Sequence, residues 1–379
     1  MHKEIEKKRG FNWGPGLFII IYHAILLIGL PFYFVCCKTA CWQLILCSAI
    51  LMYLTGLSVT MGYHRLYSHM SYKTKPIVES VLLFFGTMAT QGSAVRWSFD
   101  HRHHHSFVDT DQDPYSINKG FWYAHFMWLF EKPKTIEKSV VSDLFRNPLT
   151  AFQHRHYAIL WFVTNIAAVL FFGWAFQDYL GAIVFGLFVR MFFLHHFTWF
   201  INSLAHVWGA RTFSQELSAV DNYLIALLTF GEGYHNYHHT FASDYRNGIR
   251  WFHFDPTKWL IWLLYKCGLA FQLRRMHPAQ IEERILLEKK KLLLEKIPAS
   301  LVQQKEEWEK KISEVIEGIV LKLKQMKKLQ ETYSELKKKK EEGKELLESL
   351  KLESKELKKS FLKEHERWAS LSKDLAELS

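Results

Sequence analysis

The amino-acid sequence predicts an all-α membrane protein: four transmembrane helices in two hairpins, a cytoplasmic helical cap that holds a histidine-rich metal centre, and a C-terminal coiled coil. Three features of the 379 residues predict it. Apolar segments of spanning length occur in two pairs, histidine clusters lie beside them, and Lys, Glu and Leu dominate the last hundred or so residues. The predicted units are a membrane domain at 1–278, a short helical connector at 279–297 and a charged coiled-coil extension at 298–379.

Four segments are apolar over the roughly 20 residues that a helix needs to cross a hydrocarbon layer of about 30 Å. They are 17–35, 42–61, 158–176 and 180–200. The loops within each pair are very short, so each pair is predicted to form a hairpin whose outer ends face one side of the membrane. Basic residues flank that side, which predicts that it is cytoplasmic and that both termini and the histidine clusters lie there. These residues are Lys3, Lys7, Lys8, Arg9, Arg65, Lys73 and Lys75.

A further apolar segment, 77–94, is interrupted by Glu79 and Gln91. A fifth span at this place would put the first two histidine clusters on opposite sides of the membrane. We therefore expect an interfacial or re-entrant helix here.

Histidines cluster at four places, which read HRLYSH (64–69), HRHHH (101–105), NSLAH (202–206) and HNYHH (235–239). In an α-helix, positions i, i+3 and i+4 share a face. His101, His104 and His105 are therefore expected to converge on one site, and the last cluster repeats their spacing. His64 and His69 would lie about 140° apart on an α-helix, so we expect them to reach two metals, or one metal from either side of a helix end.

These clusters resemble the histidine motifs of membrane fatty-acyl desaturases, above all those of the stearoyl-coenzyme A (delta-9) desaturase family. The resemblance covers roughly residues 12–275. It implies a membrane desaturase domain and an oxidoreductase that uses O2 to insert a cis double bond, at position nine, into a saturated acyl chain. A fatty-acyl hydroxylase on the same scaffold is the alternative enzyme. A metal-binding membrane scaffold whose coil recruits partners is the non-enzymatic alternative.

Nine histidines are enough to hold two metal ions with four or five nitrogen ligands each. Zinc usually takes four ligands and has no redox chemistry, so the resemblance and the ligand count together favour two irons, ferrous in the resting reduced form. The predicted metal-ligating and catalytic residues are His64, His69, His101, His104, His105, His206, His235, His238 and His239. The resemblance also implies that Asn202 reaches a metal through a bound water.

Two acidic residues adjoin the clusters, Asp100 beside the second and Glu232 beside the last. They are candidates to accept the free N–H of ligating imidazoles and so fix their tautomers. The alternative is that they are ordinary helix-capping acids.

Residues of an acyl-chain tunnel are implied by the resemblance. Trp97, Thr198 and Trp199 match family positions that line this tunnel near the metals, although aromatic residues near a membrane interface also anchor helices. Met52 and Gly56, one helical turn apart on the second span, are candidates for its closed end.

The acyl carrier is left open by the sequence. The animal acyl-coenzyme A enzymes have arginines where this chain has Phe99 and Asn118-Lys119. Lys119 is a candidate contact for an anionic headgroup, but an ammonium lacks the bidentate fork of a guanidinium. Coenzyme A, an acyl carrier protein and an intact lipid therefore all remain candidate carriers.

The formal net charge is +11, and residues 281–379 hold 24 basic and 21 acidic side chains, so most of the excess lies in the membrane domain. Such a balance favours anionic headgroups or an acidic protein partner. No nucleic-acid-binding module accompanies it, so nucleic acid is not expected as a partner. Neither a dinucleotide fingerprint, an iron–sulfur cysteine set nor a fused haem motif is visible, which predicts a separate ferredoxin or cytochrome b5-like electron donor.

From Trp308 to Leu378 the apolar residues follow one 3-4 alternation, which predicts a heptad seam. The seam is weak at 340–343, where a hinge is expected, and Pro298 separates it from the helix at 279–297. Self-association or recruitment of a partner through this coil is expected. The alternative is a single solvated helix held by i,i+4 ion pairs.

Overall fold

The structure is a computed structural model that describes residues 10–37, 41–295, 302–339 and 344–378. These residues are predominantly helical and divide into two compact units. The described chain up to Arg211, together with Glu216–Arg275, forms the first unit. Thr212–Gln215 and the described residues from Met276 onward form the second. The predicted boundary at 297–298, Pro298 and the basic residues before Gly10 lie outside the described residues.

The four predicted spans are confirmed as helices. In the described part of the chain, four helical segments are long and apolar enough to cross a membrane, and the second and fourth extend further than expected. The four segments are Trp13–Cys37, Trp42–Ser68, Tyr157–Phe176 and Tyr179–His206. The chain is accordingly a multi-pass membrane protein.

The second and fourth spans are not α-helical throughout. Helix α2, Trp42–Ser58, passes into a π-helix at Val59–Ser68. The fourth span begins as a single turn, Tyr179–Gly181, and continues as a π-helix at Ala182–Val189 before the α-helix Arg190–Asn202. π-Helical turns within α-helices are frequently found at functional sites.

The other helices of the first unit cap the ends of the spans. Besides α2, the spans contain α1 (Trp13–Cys37), α8 (Tyr157–Phe176), α9 (Tyr179–Gly181) and α10 (Arg190–Asn202). The capping helices are α3 (Pro76–Met88), α4 (Ala94–Phe107), α5 (Phe121–His125), α6 (Ser142–Arg146), α7 (Pro148–Arg155), α11 (Tyr223–Leu228), α12 (His235–Thr240) and α13 (Pro256–Lys266). Short 3-10 turns lie at Ile117–Lys119, Met127–Phe130 and Leu204–His206. Helix α3 has 13 residues and is too short to cross a membrane, as expected for the segment 77–94.

A small sheet ties the exit of the second span to the end of the first unit. Strands β1 (Lys73–Thr74) and β2 (Ala270–Phe271) pair antiparallel, with Lys73 opposite Phe271. The principal core packs the π-helical end of the second span against α3, α4 and α13, and contains Val59, Leu82, Phe99 and Ile261.

The second unit consists of three long helices, α14 (Pro278–Glu295), α15 (Val302–Lys339) and α16 (Lys344–Leu378). Contacts of Lys324 with Glu283 at 3.7 Å and of Lys290 with Ser313 at 2.8 Å show that α14 and α15 run antiparallel. Lys322 of α15 pairs with Glu364 of α16 at 2.9 Å. The core contains Ile312, Ile319 and Trp368 of the predicted seam. Part of the seam thus packs within one chain, while self-association stays a prediction and the expected hinge at 340–343 lies outside the described residues.

Candidate metal centre

Nine histidines converge in the first unit from four elements that are distant in sequence. The π-helical end of the second span supplies His64, with His69 directly after it, α4 supplies three, α12 supplies three, and the 3-10 turn at the end of the fourth span supplies His206. They fall into two groups, each with ligand atoms within 4.8 Å of one another. The first is His64, His69, His101, His105 and His238; the second is His104, His206, His235 and His239.

The π-helix explains why His64 and His69 share a group. Its hydrogen bonds join residues i and i+5, and the His69 N–H donates to the His64 carbonyl at 3.1 Å. Residues five apart therefore lie one above the other, whereas an α-helix would separate them. The structure thus brings both histidines to one site.

Imidazole nitrogens in the first group face one another at short distances. The Nε2 atom of His238 lies 3.0 Å from that of His64 and 3.0 Å from that of His105, and the Nε2 atoms of His69 and His101 are 2.8 Å apart. Ligand bonds of about 2.1 Å at right angles around one metal ion would separate neighbouring nitrogens by about 3 Å. The spacing therefore fits metal ligation.

The second group shows the same spacing and an unpaired donor atom. The Nε2 atom of His239 lies 3.0 Å from that of His235 and 3.3 Å from that of His104. The Nε2 atom of His206 is buried and finds no hydrogen-bond partner among the described residues. A buried nitrogen that lacks a partner is costly unless something binds it, so this group also fits a metal ion.

Burial favours the neutral form of six of these imidazoles. It lowers the pKa of His69, His101, His105 and His239 well below the usual value, and neighbouring imidazoles lower each pKa further. The pKa values of His235 and His238 are lowered for the same reasons. A neutral imidazole has the free lone pair that metal ligation requires.

Glu232 lies beside the first group. One oxygen, Oε2, lies 3.0 Å from Nδ1 of His64, and the other accepts a hydrogen bond from the buried guanidinium of Arg65 at 2.8 Å. Burial alone would raise the pKa of Glu232, but Arg65 and His64 outweigh it and lower the pKa to about 2. Arg65 also donates to Asp255 at 3.1 Å, so the carboxylate is held in a buried ion network.

Three further residues hold imidazoles of the second group, and the sequence reasoning missed them. Asp113 lies with Oδ1 2.8 Å from Nδ1 of His104. The Ser218 hydroxyl lies 2.6 Å from Nδ1 of His206 and donates in turn to Asp109. Asp109 and Asp113 stand in the acidic run that follows the second cluster, and this run is a signal that could have identified them. Ser218 had no such signal.

Asp100 lies in a different environment from Glu232. Its carboxylate accepts a hydrogen bond from Nε of Arg96 at 2.8 Å, one helical turn away. On the metal-facing side of α4, His101 instead has the Tyr115 hydroxyl 3.3 Å from its Nδ1.

A cavity of about 300 Å³ adjoins the centre. Trp97, Thr198 and Trp199 line it, and so do Asn202 and the ligand candidates His64 and His101. Basic side chains also border it, namely Arg96, Lys132 and Lys134. The structure thus places the three predicted tunnel residues on one cavity that adjoins the histidines.

The other predicted substrate contacts lie elsewhere among the described residues. A Cβ at Gly56 would come 2.3 Å from the Phe230 ring, so this glycine faces a packed aromatic side chain. Met52 packs against the principal core. The Lys119 ammonium lies 5.1 Å above the Tyr123 ring.

The chain is similar in sequence to a known protein family and to several known proteins. Residues 39–272 match the fatty acid desaturase family model. The chain is 43% identical over 291 residues to the "Probable acyl-CoA desaturase" of Schizosaccharomyces pombe, which covers 75% of this chain and 59% of that protein. It is 40% identical over 244 residues to "Acyl-CoA desaturase 1" of Saccharomyces cerevisiae, covering 64% and 48%. It is 34% identical over 266 residues to the "sn-2 palmitoyl-lipid 9-desaturase" of a Nostoc species, covering 68% and 89%.

The chain spans about half the length of the two yeast relatives, 59% and 48% respectively. The matched residues include all nine histidines of the centre, because the family match runs from 39 to 272. The helices α15 and α16 lie beyond this match.

Proposed function

The chain belongs to the fatty acid desaturase family, and from this premise we propose that it removes two hydrogens from neighbouring methylenes of a saturated fatty-acyl chain. The substrate methylenes, O2, two electrons and two protons become a cis double bond and two waters. The observation that carries the proposal is the meeting of nine histidines, in groups of five and four, beside an apolar cavity.

Two irons are the metals that this site is proposed to hold. The five-histidine group would ligate one iron, and the four-histidine group would ligate the other with Asn202 contributing through a water. Bound iron would supply the oxidising power that an unactivated methylene requires, because such a carbon has no acidic proton for acid-base chemistry.

The protein groups orient the ligands and the substrate. Glu232, Asp113 and the Ser218 hydroxyl hold the far nitrogens of three imidazoles, which fixes their tautomers and ring planes. Trp97, Thr198 and Trp199 would hold the acyl chain against the centre and exclude water from it.

Acyl-coenzyme A is the proposed substrate form. Both yeast relatives are named for acyl-CoA and share 43% and 40% identity, while the acyl-lipid relative shares 34%. Arg96, Lys132 and Lys134 at the cavity would favour an anionic carrier. The name of the Nostoc relative supports position nine for the double bond.

We further propose that the centre faces the cytoplasm and that a separate ferredoxin or cytochrome b5-like protein supplies the electrons. Positive charge beside the spans supports this orientation.

The test is to express the chain in a host that lacks its own acyl desaturase and to analyse the cellular lipids. A new cis-monounsaturated acid is expected from the wild type and none from His206→Ala, while His156→Ala, an exposed histidine outside both groups, serves as the control. Hydroxylated products would favour the alternative enzyme. Purified protein that consumes no O2 with acyl-coenzyme A and a reduced donor would favour the scaffold.

A further inference from the structure

Helix α13 exposes an apolar face on the side away from the protein core. Trp259, Trp262 and Leu263 are 42%, 49% and 52% exposed. With the exposed Lys266 they follow the spacing i, i+3, i+4 and i+7, so they form one stripe. The opposite side is also apolar, since Ile261 is buried in the principal core. One apolar side of α13 packs on the protein core, so the other side needs an apolar environment outside this core.

The chain before α13 extends this surface. Trp251 is 85% exposed and Phe252 lies exposed beside it. Helix α11 likewise exposes Leu224 and Leu227. Such a concentration of exposed aromatic and apolar side chains is unusual for a surface in water.

The position of this surface relative to the hydrocarbon layer follows from its contacts with the second span. From Trp42, a helix has crossed about 30 Å of hydrocarbon after roughly 20 residues, near residue 61. The hydroxyl of Thr60 lies 2.7 Å from that of Thr257 in the first turn of α13. The Phe230 ring, just after α11, packs on Tyr53, one to two turns deeper in the span. Both elements therefore lie at the edge of the hydrocarbon layer.

The charges beside this surface are positive. Arg250, Lys266, Arg274 and Arg275 are exposed, and the one acidic residue between 245 and 278, Asp255, is fully buried. Trp and Tyr side chains among Lys and Arg are typical of a helix in the headgroup region of a membrane. An acidic protein partner would account for the cations but not for the exposed aromatic stripe.

We propose that α13 and the segment 250–252 form an interfacial anchor, whose aromatic stripe enters a phospholipid bilayer while the cations contact lipid phosphates. The anchor also bears on the metal centre. Asp255, which caps α13 by accepting from the Lys258 N–H at 2.9 Å, pairs with Arg65, and Arg65 pairs with Glu232 beside His64. The membrane thus holds a helix that is linked through two buried ion pairs to a ligand candidate.

Cys267 makes a direct test possible, because it is exposed and follows the last residue of α13. Cys36, Cys37, Cys41 and Cys47 are replaced by Ser, and Cys267 receives an environment-sensitive fluorophore. The full chain is placed in nanodiscs of phosphatidylcholine and phosphatidylglycerol. Quenching is compared between lipids that carry a nitroxide near the headgroup end of the acyl chain and iodide in the water. The control carries Cys267→Ser and Asp111→Cys, which puts the label in an exposed loop beyond α4.

The label at Cys267 is expected to be quenched several-fold more by the lipid nitroxide, and several-fold less by iodide, than the label at position 111. Adding Trp259→Ser and Trp262→Ser, both at exposed positions, should reduce the lipid quenching. Iodide quenching equal at both positions would overturn the proposal. So would a label at Cys267 that neither quencher reaches, because a protein surface would then cover α13.

Discussion

The imidazole of His206 is oriented by a hydroxyl and a carboxylate from two separate loops, Ser218 and Asp109. Partners of this kind typically change metal affinity by about 10- to 100-fold when they are removed. Ser218→Ala and Asp109→Asn are therefore expected to lower iron occupancy in the four-histidine group and to leave the other group loaded. Iron per chain and the Mössbauer spectrum measure this. Asp111→Asn, an exposed acid of the same loop, is the control and should retain both irons.

Glu232 bridges a ligand candidate and a buried cation, so its removal has a different expected effect. Among the described residues, Glu232→Gln leaves the buried Arg65 with Asp255 as its remaining acidic partner. Breaking a buried pair costs about 3–5 kcal/mol. We expect a clear loss of thermal stability together with reduced iron content. The control is Glu356→Gln, whose exposed pair with Lys359 should contribute almost nothing. Equal melting temperatures for the two variants would mean that the Arg65–Glu232 pair does not stabilise the fold.

For individual residues, the sequence predicted the ligand candidates better than the side chains that hydrogen-bond to them. The spacings of three and four residues place His101, His104 and His105 on one face of a helix, as expected. The structure nevertheless divides them, because His101 and His105 belong to the five-histidine group and His104 to the four-histidine group. The last cluster is divided in the same way, with His238 in the first group and His235 and His239 in the second. Ser218 reaches His206 only through the path of the loop between them, which spacing does not encode. Asp100 was a candidate by proximity in sequence, but Arg96 lies four residues away on the same helix and pairs with it.

Among the helices, the sequence did not predict that Val59–Ser68 is a π-helix and not an α-helix. Apolar periodicity shows that a helix is present, but it does not distinguish hydrogen bonds to i+4 from those to i+5. The difference decides whether His64 and His69 point to one site or to two.

Gly56 of α2 packs against the Phe230 ring, and its role at the closed end of the tunnel stays a prediction. Gly56→Ala would put a methyl group 2.3 Å from the ring, and overpacking typically costs about 1–3 kcal/mol. We expect a lower melting temperature and an unchanged product chain length, which lipid analysis measures. Gly29→Ala is the matched control, because its Cβ meets nothing within 4 Å. The double variant Gly56→Ala, Phe230→Leu should recover stability, and a shift to shorter products would support the tunnel role of Gly56.

At the scale of the whole molecule, hydropathy and charge predicted the four spans, because the bilayer imposes a length on each helix. How the helices of the second unit pack together was harder to predict from the sequence. A 3-4 alternation shows that a helix needs an apolar partner, but not whether that partner belongs to the same chain. Here Ile312 and Trp368, far apart along one predicted seam, lie in the same core.

The division of the chain into two units leads to a prediction about truncation. All nine ligand candidates lie before residue 240, in the first unit. A chain ending at Arg275 is expected to keep two irons and to desaturate an acyl substrate when the electron donor is saturating. If the C-terminal helices mediate assembly, the particle mass measured by light scattering falls by more than the mass of the deleted residues. A chain ending at Ile297 should aggregate instead, because Leu286 of α14 would lose its neighbours Ile312 and Trp368.

The same pair of truncations tests whether α14 supports the centre. Arg284 of α14 donates to the Phe213 carbonyl at 2.7 Å, and Glu288 accepts from the Gln215 N–H at 2.9 Å. This short segment belongs to the second unit, as α14 does, and it interrupts the first unit between His206 and Ser218 in the sequence. If the chain ending at Arg275 folds but loses the iron of the four-histidine group, α14 is part of the metal site, and the division between a catalytic unit and an assembly unit is wrong.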